Sequence, residues 1–105
     1  MTVLSVASFG LKPGELEAFR KDMRKSKELL ERCGAKNVRV LGAVMGGDAL
    51  NALTISWEAD DYASYGKVVD KFQADPEGAA QIMSASTPDS PVTSFTGTLW
   101  QEVNL

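Results

Sequence analysis

The sequence predicts one α+β domain with the element order β-α-β-β-α-β. The chain has 105 residues, 44% of them hydrophobic and 24% charged, which suits a single globular core. Segments with strand-type apolar patterns alternate with segments whose apolar residues recur every three or four positions. A Gly-Gly-Asp turn at residues 46–48 joins two strands directly. This order is the ferredoxin-like arrangement, an antiparallel sheet with two helices on one face.

The first half of the chain predicts a strand, a helix and a second strand. The predicted bounds are 2–9 and 37–45 for the strands and Glu15 to Arg32 or Cys33 for the helix. The turn at 10–14 contains two glycines and a proline, and Gly34 is expected to end the helix in a left-handed conformation. The helix is predicted because its apolar residues share one face. They are Leu16, Phe19, Met23, Leu30 and Cys33.

The second half predicts another strand, a helix that restarts once, and a last strand. The predicted bounds are 50–58 and 91–103 for the strands, with a polar loop at 84–90. Asp60 or Asp61 is expected to cap the helix, whose apolar stripe consists of Tyr62, Tyr65, Val69 and Phe72. Asp75 followed by Pro76 is typical of a new helix start, with the aspartate as cap and the proline in the first turn.

Charge and composition exclude several classes of function. The net charge is −3 and histidine is absent, so the commonest metal ligand and general base is missing and no metal or cofactor is expected. Five bases at positions 20–27 lack interleaved aromatics, and with an acidic total they do not indicate nucleic-acid binding. No segment resembles a signal peptide or a membrane span. The single cysteine, Cys33, favours a cytoplasmic location.

The first two strands predict self-association. One face of the sheet is expected to lie under the helices, and the other face should then be polar. The strand at 2–9 is instead apolar on both faces, and the next strand places Leu41, Ala43 and Met45 on its second face. A second copy of the sheet, packed face to face, would cover this apolar surface. The alternative is a mildly apolar face that stays hydrated, which the serines and threonines of the strands favour.

Several segments resemble the dimeric α+β barrel superfamily, and within it the NIPSNAP-type domains. They are Lys12-Pro13-Gly14-Glu15 before the first helix, the stretch 57–66 (Trp-Glu-Ala-Asp-Asp-Tyr-Ala-Ser-Tyr-Gly) and Asp75-Pro76-Glu77. The resemblance implies a homodimer. The superfamily includes cofactor-free monooxygenases, haem-binding proteins and many members without an assigned activity. The lack of histidine disfavours haem.

An aromatic cluster is the main candidate for a ligand pocket. Trp57 ends a predicted strand, and Tyr62 and Tyr65 open the next helix, so the three rings are expected to border one cavity. Asn51 lies on the strand face of Trp57. Further candidates are Arg20 and Arg24, which would hold an anionic group of a ligand. The competing interpretation is that the rings are ordinary core packing and that the two arginines are solvated.

Two functions stay open at this point. One is a dimer of unassigned activity that binds a small apolar or aromatic ligand. The other, implied by the resemblance, is a cofactor-free monooxygenase. In that enzyme a phenolic substrate held by Trp57, Tyr62, Tyr65 and Asn51 would lose a proton and reduce oxygen directly, with Arg20 stabilising the phenolate.

The last predicted strand is unusually long. Its thirteen residues exceed the usual strand of about five or six. Gly97 interrupts it, and the segment beyond is apolar. We expect this segment to leave its own sheet and to pack on a partner subunit. Its interface candidates are Leu99, Trp100 and Val103.

Overall fold

The computed structural model describes residues 2–45 and 51–105. The predicted turn at 46–48 and the predicted start of the third strand at Leu50 lie outside these residues. Within them the order predicted from the sequence is confirmed, with the second helix in two pieces. The elements are β1 (Val3–Leu11), α1 (Leu16–Arg32), β2 (Lys36–Gly42), β3 (Ala52–Ala59), α2 (Tyr62–Ala74), α3 (Pro76–Ala85) and β4 (Val92–Gln101).

The four strands form one antiparallel sheet in the order β2-β3-β1-β4. β1 lies in the middle, where Val3 is opposite Ala59 on one side and Gln101 on the other. The ferredoxin-like α+β fold predicted from the sequence is therefore confirmed. No helix among residues 2–45 and 51–105 is both long enough and apolar enough to span a membrane.

Caps and a glycine define the helix ends. Asp61 has an extended backbone and accepts a hydrogen bond from the Ser64 amide at 2.7 Å, so it caps α2. Asp75 accepts from the Glu77 amide at 2.9 Å and caps α3, as predicted. Gly34 has a φ of +105° after α1, which a side chain would disfavour.

The helices cover one face of the sheet and form the core with it. α1 contributes Phe19, Met23, Leu29 and Leu30. β3 contributes Leu53, Ile55 and Trp57, each buried on the helix side. These strand residues alternate, as predicted, with residues that face away from the helices.

The opposite face of the sheet, which we call the open face, is covered by no described element. It is part polar: the hydroxyls of Ser8 and Thr54 hydrogen-bond at 2.8 Å across β1 and β3. In the same face Leu4 pairs with Trp100, whose side chain is 58% exposed. Leu41 lies opposite Thr54 and is 48% exposed.

Both edge strands end earlier than the sequence predicts, β2 at Gly42 rather than residue 45 and β4 at Gln101 rather than residue 103. β4 stays in its own sheet beyond Gly97, because the register pairs Thr98 with Val6 and Gln101 with Val3. The prediction that this segment leaves the sheet is therefore wrong. The first residues of β1 explain the difference: β1 lies beside β4 in the sheet, and its residues from Val3 to Val6 are the partners of β4 beyond Gly97.

Candidate functional site

An apolar cavity lies on the helix side of the sheet, between α1, α3 and the neighbouring ends of β1 and β4. Its volume is about 530 Å³, within the range of small-molecule sites. The chain has four phenylalanines, and all four line this cavity: Phe9, Phe19, Phe72 and Phe95. We call it the phenylalanine cavity.

Four separate elements bring these rings together. Phe9 of β1 and Phe95 of β4 are direct cross-strand partners, with ring centroids 5.1 Å apart. Phe19 of α1 packs on Phe9 at 5.4 Å. Phe72 comes from the last turn of α2. Both measured pairs are tilted, at 52° and 54°, as aromatic pairs prefer.

The mouth of the cavity is partly open to solvent. Phe95 is 61% exposed and Ile82 of α3 is 45% exposed. Large apolar side chains in the wall therefore keep contact with water, which a bound apolar molecule would displace.

Polar groups also line the cavity. Ser26 of α1 donates a hydrogen bond from its Oγ to Oε1 of Gln81 of α3 at 2.6 Å. The Gln81 amide nitrogen has no partner among the described residues. Asp22 and Lys25 lie on the same stretch of α1 and form no ion pair with a described residue.

The aromatic cluster predicted from the sequence packs elsewhere. Trp57 stacks on Tyr65 with centroids 5.2 Å apart and an interplanar angle of 12°. Trp57 is buried and Tyr65 packs against the core, so the two rings are part of the hydrophobic core. Tyr62 is 55% exposed, and its hydroxyl donates to Oε1 of Gln101. The structure brings Trp57 and Tyr65 together, but in a stack rather than around a cavity.

The remaining sequence candidates are also outside the wall. Arg20 is exposed and pairs with Glu17 at 3.3 Å. Arg24 is exposed on α1, and Asn51 is exposed just before β3. None of the six predicted ligand contacts lines the phenylalanine cavity. Arg20 and Arg24 follow Phe19 and Met23 in sequence, and one residue along a helix turns the side chain toward solvent.

A second, more polar cavity of about 420 Å³ lies on the open face. Trp100 borders it together with Arg39, Ser56 and Glu58. Asn37, at a φ of +50° where β2 bulges, donates from Nδ2 to Oε2 of Glu58 at 2.9 Å. Trp100 is the one interface candidate on this face.

The other two interface candidates are placed differently. Leu99 is directed to the helix side of the edge strand and is 39% exposed. Val103 follows the end of β4 and is 72% exposed. Among residues 2–45 and 51–105, no group of three or more histidine, cysteine, aspartate or glutamate side chains could hold a metal ion.

Comparison with solved structures shows which proteins share this fold. A NIPSNAP family protein from Agrobacterium tumefaciens superposes with a TM-score of 0.79 at 12% identity, covering 98% of this chain and 87% of the other. The chain has the fold of the NIPSNAP proteins. A NIPSNAP-like domain protein from Burkholderia xenovorans gives a TM-score of 0.77, also at 12% identity, covering 97% and 85%. At the level of the fold, the resemblance predicted from the sequence is confirmed.

The NIPSNAP-type fold is shared with a known enzyme. SnoaB, a cofactor-independent oxygenase from Streptomyces nogalater, superposes with a TM-score of 0.70 at 13% identity, covering 99% of this chain and 95% of SnoaB. No family model and no curated protein matches the sequence. At these identities the likeness concerns the fold.

The helical apolar patterns of the sequence contain two of these phenylalanines. Phe19 and Phe72 were placed on apolar helix faces, which is correct, but nothing local distinguishes a cavity wall from a filled core. The usable signal was that the four phenylalanines fall on four different elements on the helix side of the sheet.

Proposed function

We propose that this protein binds a small, flat, apolar or aromatic molecule in the phenylalanine cavity. The observation that carries the proposal is the convergence of all four phenylalanines on one space of about 530 Å³. Aromatic walls with a few polar groups are typical of small-molecule sites. The exposed ring of Phe95 supports a mouth through which a ligand enters.

Blocking the cavity with a large side chain tests the proposal. Ala80 of α3 lines the cavity and is itself exposed, so Ala80→Trp adds a ring there while leaving the buried core intact. The probe is 2-isopropenylnaphthalene, titrated into ¹⁵N-labelled protein. We expect the wild type to show saturable shifts at residues around the cavity and the variant to lose them.

Ala18→Trp is the matched control, because Ala18 is an exposed helix residue that does not line the cavity. This control should bind like the wild type. Absence of saturable binding to the wild type, or equal binding to both tryptophan variants, would contradict the proposal.

The fold shared with SnoaB supports a second candidate, oxidation of a phenolic substrate without a cofactor. Such a substrate must itself supply the electrons, because its anion reduces O₂ after the loss of a proton. The reaction balances when a CH₂ group is converted to C=O and one water is released per O₂. Asp22 is a carboxylate in the cavity wall that would accept the proton.

Oxygen consumption tests this second candidate. An anthrone should be oxidised with one O₂ taken up per carbonyl formed, and Asp22→Asn should slow the reaction. If the probe binds and no oxygen is consumed above the uncatalysed rate, binding without catalysis is the function.

We also propose that the protein works as a homodimer joined through the open faces of two sheets. Leu41 is 48% exposed and Trp100 58% exposed on this face, and a second copy would remove them from water. The dimer implied by the resemblance supports the same arrangement. The phenylalanine cavity lies on the other side of the sheet, so the two surfaces do not compete.

A further inference from the structure

We infer that Gln81 selects the ligand: the phenylalanine cavity takes an aromatic molecule that carries a hydrogen-bond-accepting oxygen, such as a ketone, a quinone or a phenolate. The inference rests on the proposed binding function and adds the chemical class. It assigns Gln81 as the specificity-determining residue and Ser26 as the residue that positions it.

The Gln81 side-chain amide is hydrogen-bonded to Ser26 through its oxygen. Ser26 and Gln81 lie 55 positions apart in the chain, on α1 and α3, and their side chains meet at 2.6 Å. Because the serine hydroxyl donates to Oε1, the amide oxygen is held at Ser26 and rotation of the amide is restricted. The two N–H bonds of Nε2 then remain as donors without a partner among the described residues.

The Gln81 amide nitrogen is not fully buried. Among the described residues no fully buried side-chain nitrogen or oxygen lacks a hydrogen-bond partner, and Gln81 itself lines the cavity. When no ligand is bound, water is the partner available to these donors. A ligand that fills the space displaces that water, so it must offer an acceptor or leave the donors unpaired.

Neighbouring hydroxyls are engaged by the backbone. Ser86 donates from Oγ to the carbonyl of Ile82 at 2.9 Å. Ser90 accepts from the amide of Val92 at 3.1 Å. Lys25 and Asp22 also line the cavity and are exposed charged residues of α1. Among the uncharged side chains that line the cavity, Gln81 is the one that carries two N–H donors on a single nitrogen.

A pair of probes with one shape isolates this hydrogen bond. 2-Acetylnaphthalene carries a carbonyl oxygen where 2-isopropenylnaphthalene carries a CH₂ group, and the two are otherwise alike in size and connectivity. We expect the wild type to bind the ketone more tightly by about three- to tenfold, as one net hydrogen bond implies. Binding is measured by titration of ¹⁵N-labelled protein, which also reports the Gln81 side-chain amide signals.

Gln81→Leu removes the donors and keeps a similar volume. It should abolish the preference for the ketone and leave the affinity for the hydrocarbon unchanged or higher. Ser26→Ala should reduce the preference in part, since the amide is then free to turn. Gln73→Leu, at an exposed glutamine of α2 outside the cavity, is the matched control and should keep the wild-type preference.

The outcomes separate this inference from the proposed function. If neither probe binds the wild type, the binding function itself fails. If both bind and the wild type shows no preference, or Gln81→Leu weakens both equally, the cavity binds ligands and the role of Gln81 is wrong. Should Gln81→Leu not fold, Gln81→Glu places a carboxylate against the ketone oxygen and must also abolish the preference.

Discussion

The start of α2 is stabilised by hydrogen bonds from the backbone and the side chain of Ser64 to the carboxylate of Asp61. The Ser64 amide donates to the Asp61 carboxylate at 2.7 Å. Its hydrogen bonds to Ser64, backbone first and side chain second, hold the pKa of Asp61 below the ordinary value of 3.8. A pKa that is lower in the folded than in the unfolded chain means that the ionised form stabilises the fold.

The contribution of Asp61 to stability should therefore depend on pH in one direction. It is fully present above the pKa of the unfolded chain and is lost as the pH falls through the lowered folded pKa. Asp61→Asn keeps a capping acceptor and removes the charge. Urea unfolding should show the wild type more stable than this variant at neutral pH, with the gap closing below about pH 4.

A second substitution separates the charge from the cap. Asp61→Ala removes the acceptor as well, so it should stay less stable than the wild type at both ends of the range. A gap between wild type and Asp61→Asn that does not change with pH would show that the charge of Asp61 does not stabilise α2.

At this scale the sequence predicted the kind of residue but not always its position. Two adjacent aspartates precede α2, and both are good caps. The structure assigns the role to Asp61. Asp60 instead accepts a hydrogen bond at Oδ1 from Nζ of Lys36 of β2 at 2.8 Å. That contact joins residues 24 positions apart, so no local pattern contains it. Leu29 was missed for a related reason: it lies beside the stripe predicted for α1, yet it is only 1% exposed.

At the scale of elements, α2 and α3 meet at a glycine. Gly78 is buried, and a Cβ atom built there would lie 1.9 Å from the backbone oxygen of Phe72. Backbone cannot move aside as a flexible side chain can. Gly66, in the middle of α2, has no atom within 4 Å of the same built position apart from its chain neighbours and the nearby backbone of its own helix.

The two helical glycines should therefore respond to alanine in opposite ways. Gly78→Ala should destabilise the fold by about 1–3 kcal/mol, because α3 has to shift away from α2. Gly66→Ala should stabilise it by up to about 1 kcal/mol through helix propensity alone. Urea unfolding of both variants measures the difference, and a loss of stability in Gly66→Ala as large as that in Gly78→Ala would refute the packing argument.

Elements were largely predictable because their signals are local. Apolar periodicity, the caps and Gly34 predicted the order and most of the bounds. The end of β4 was not predictable in this way. Whether the residues after Gly97 stay in the sheet depends on the register of β4 against β1, which sets Thr98 opposite Val6 and Gln101 opposite Val3, and neither segment alone contains that pairing.

At the scale of the molecule, the candidate site was the hardest part to predict. The phenylalanine cavity depends on the register that sets Phe9 opposite Phe95 and on the packing of α1 and α2 above them. The aromatic cluster around Trp57 had the stronger local signal, since its rings are close in sequence. In the structure Trp57 stacks on Tyr65, and neither ring lines the phenylalanine cavity.

The open face makes a prediction about assembly. Sedimentation velocity at micromolar concentration should give about twice the chain mass of 11.3 kDa. Leu41→Glu places a charge on the open face and should shift the protein to monomer. Met83→Glu is the matched control, because Met83 is 71% exposed on the helix side.

Removing residues 102–105 tests separately whether Val103 contributes to the dimer, since these residues follow the last paired residue of β4. A wild type that sediments as a monomer, or equal effects of Leu41→Glu and Met83→Glu, would contradict a dimer through the open face.

The two tryptophans lie in opposite environments, Trp57 6% exposed in its stack with Tyr65 and Trp100 58% exposed on the open face. An indole emits at shorter wavelength in an apolar surrounding than in water. The chain thus carries two indoles whose emission maxima respond to different events. Dilution should move only the band of Trp100 toward the red as the open face becomes wet, whereas denaturant should move the band of Trp57. One emission spectrum then distinguishes dissociation from unfolding without any added label.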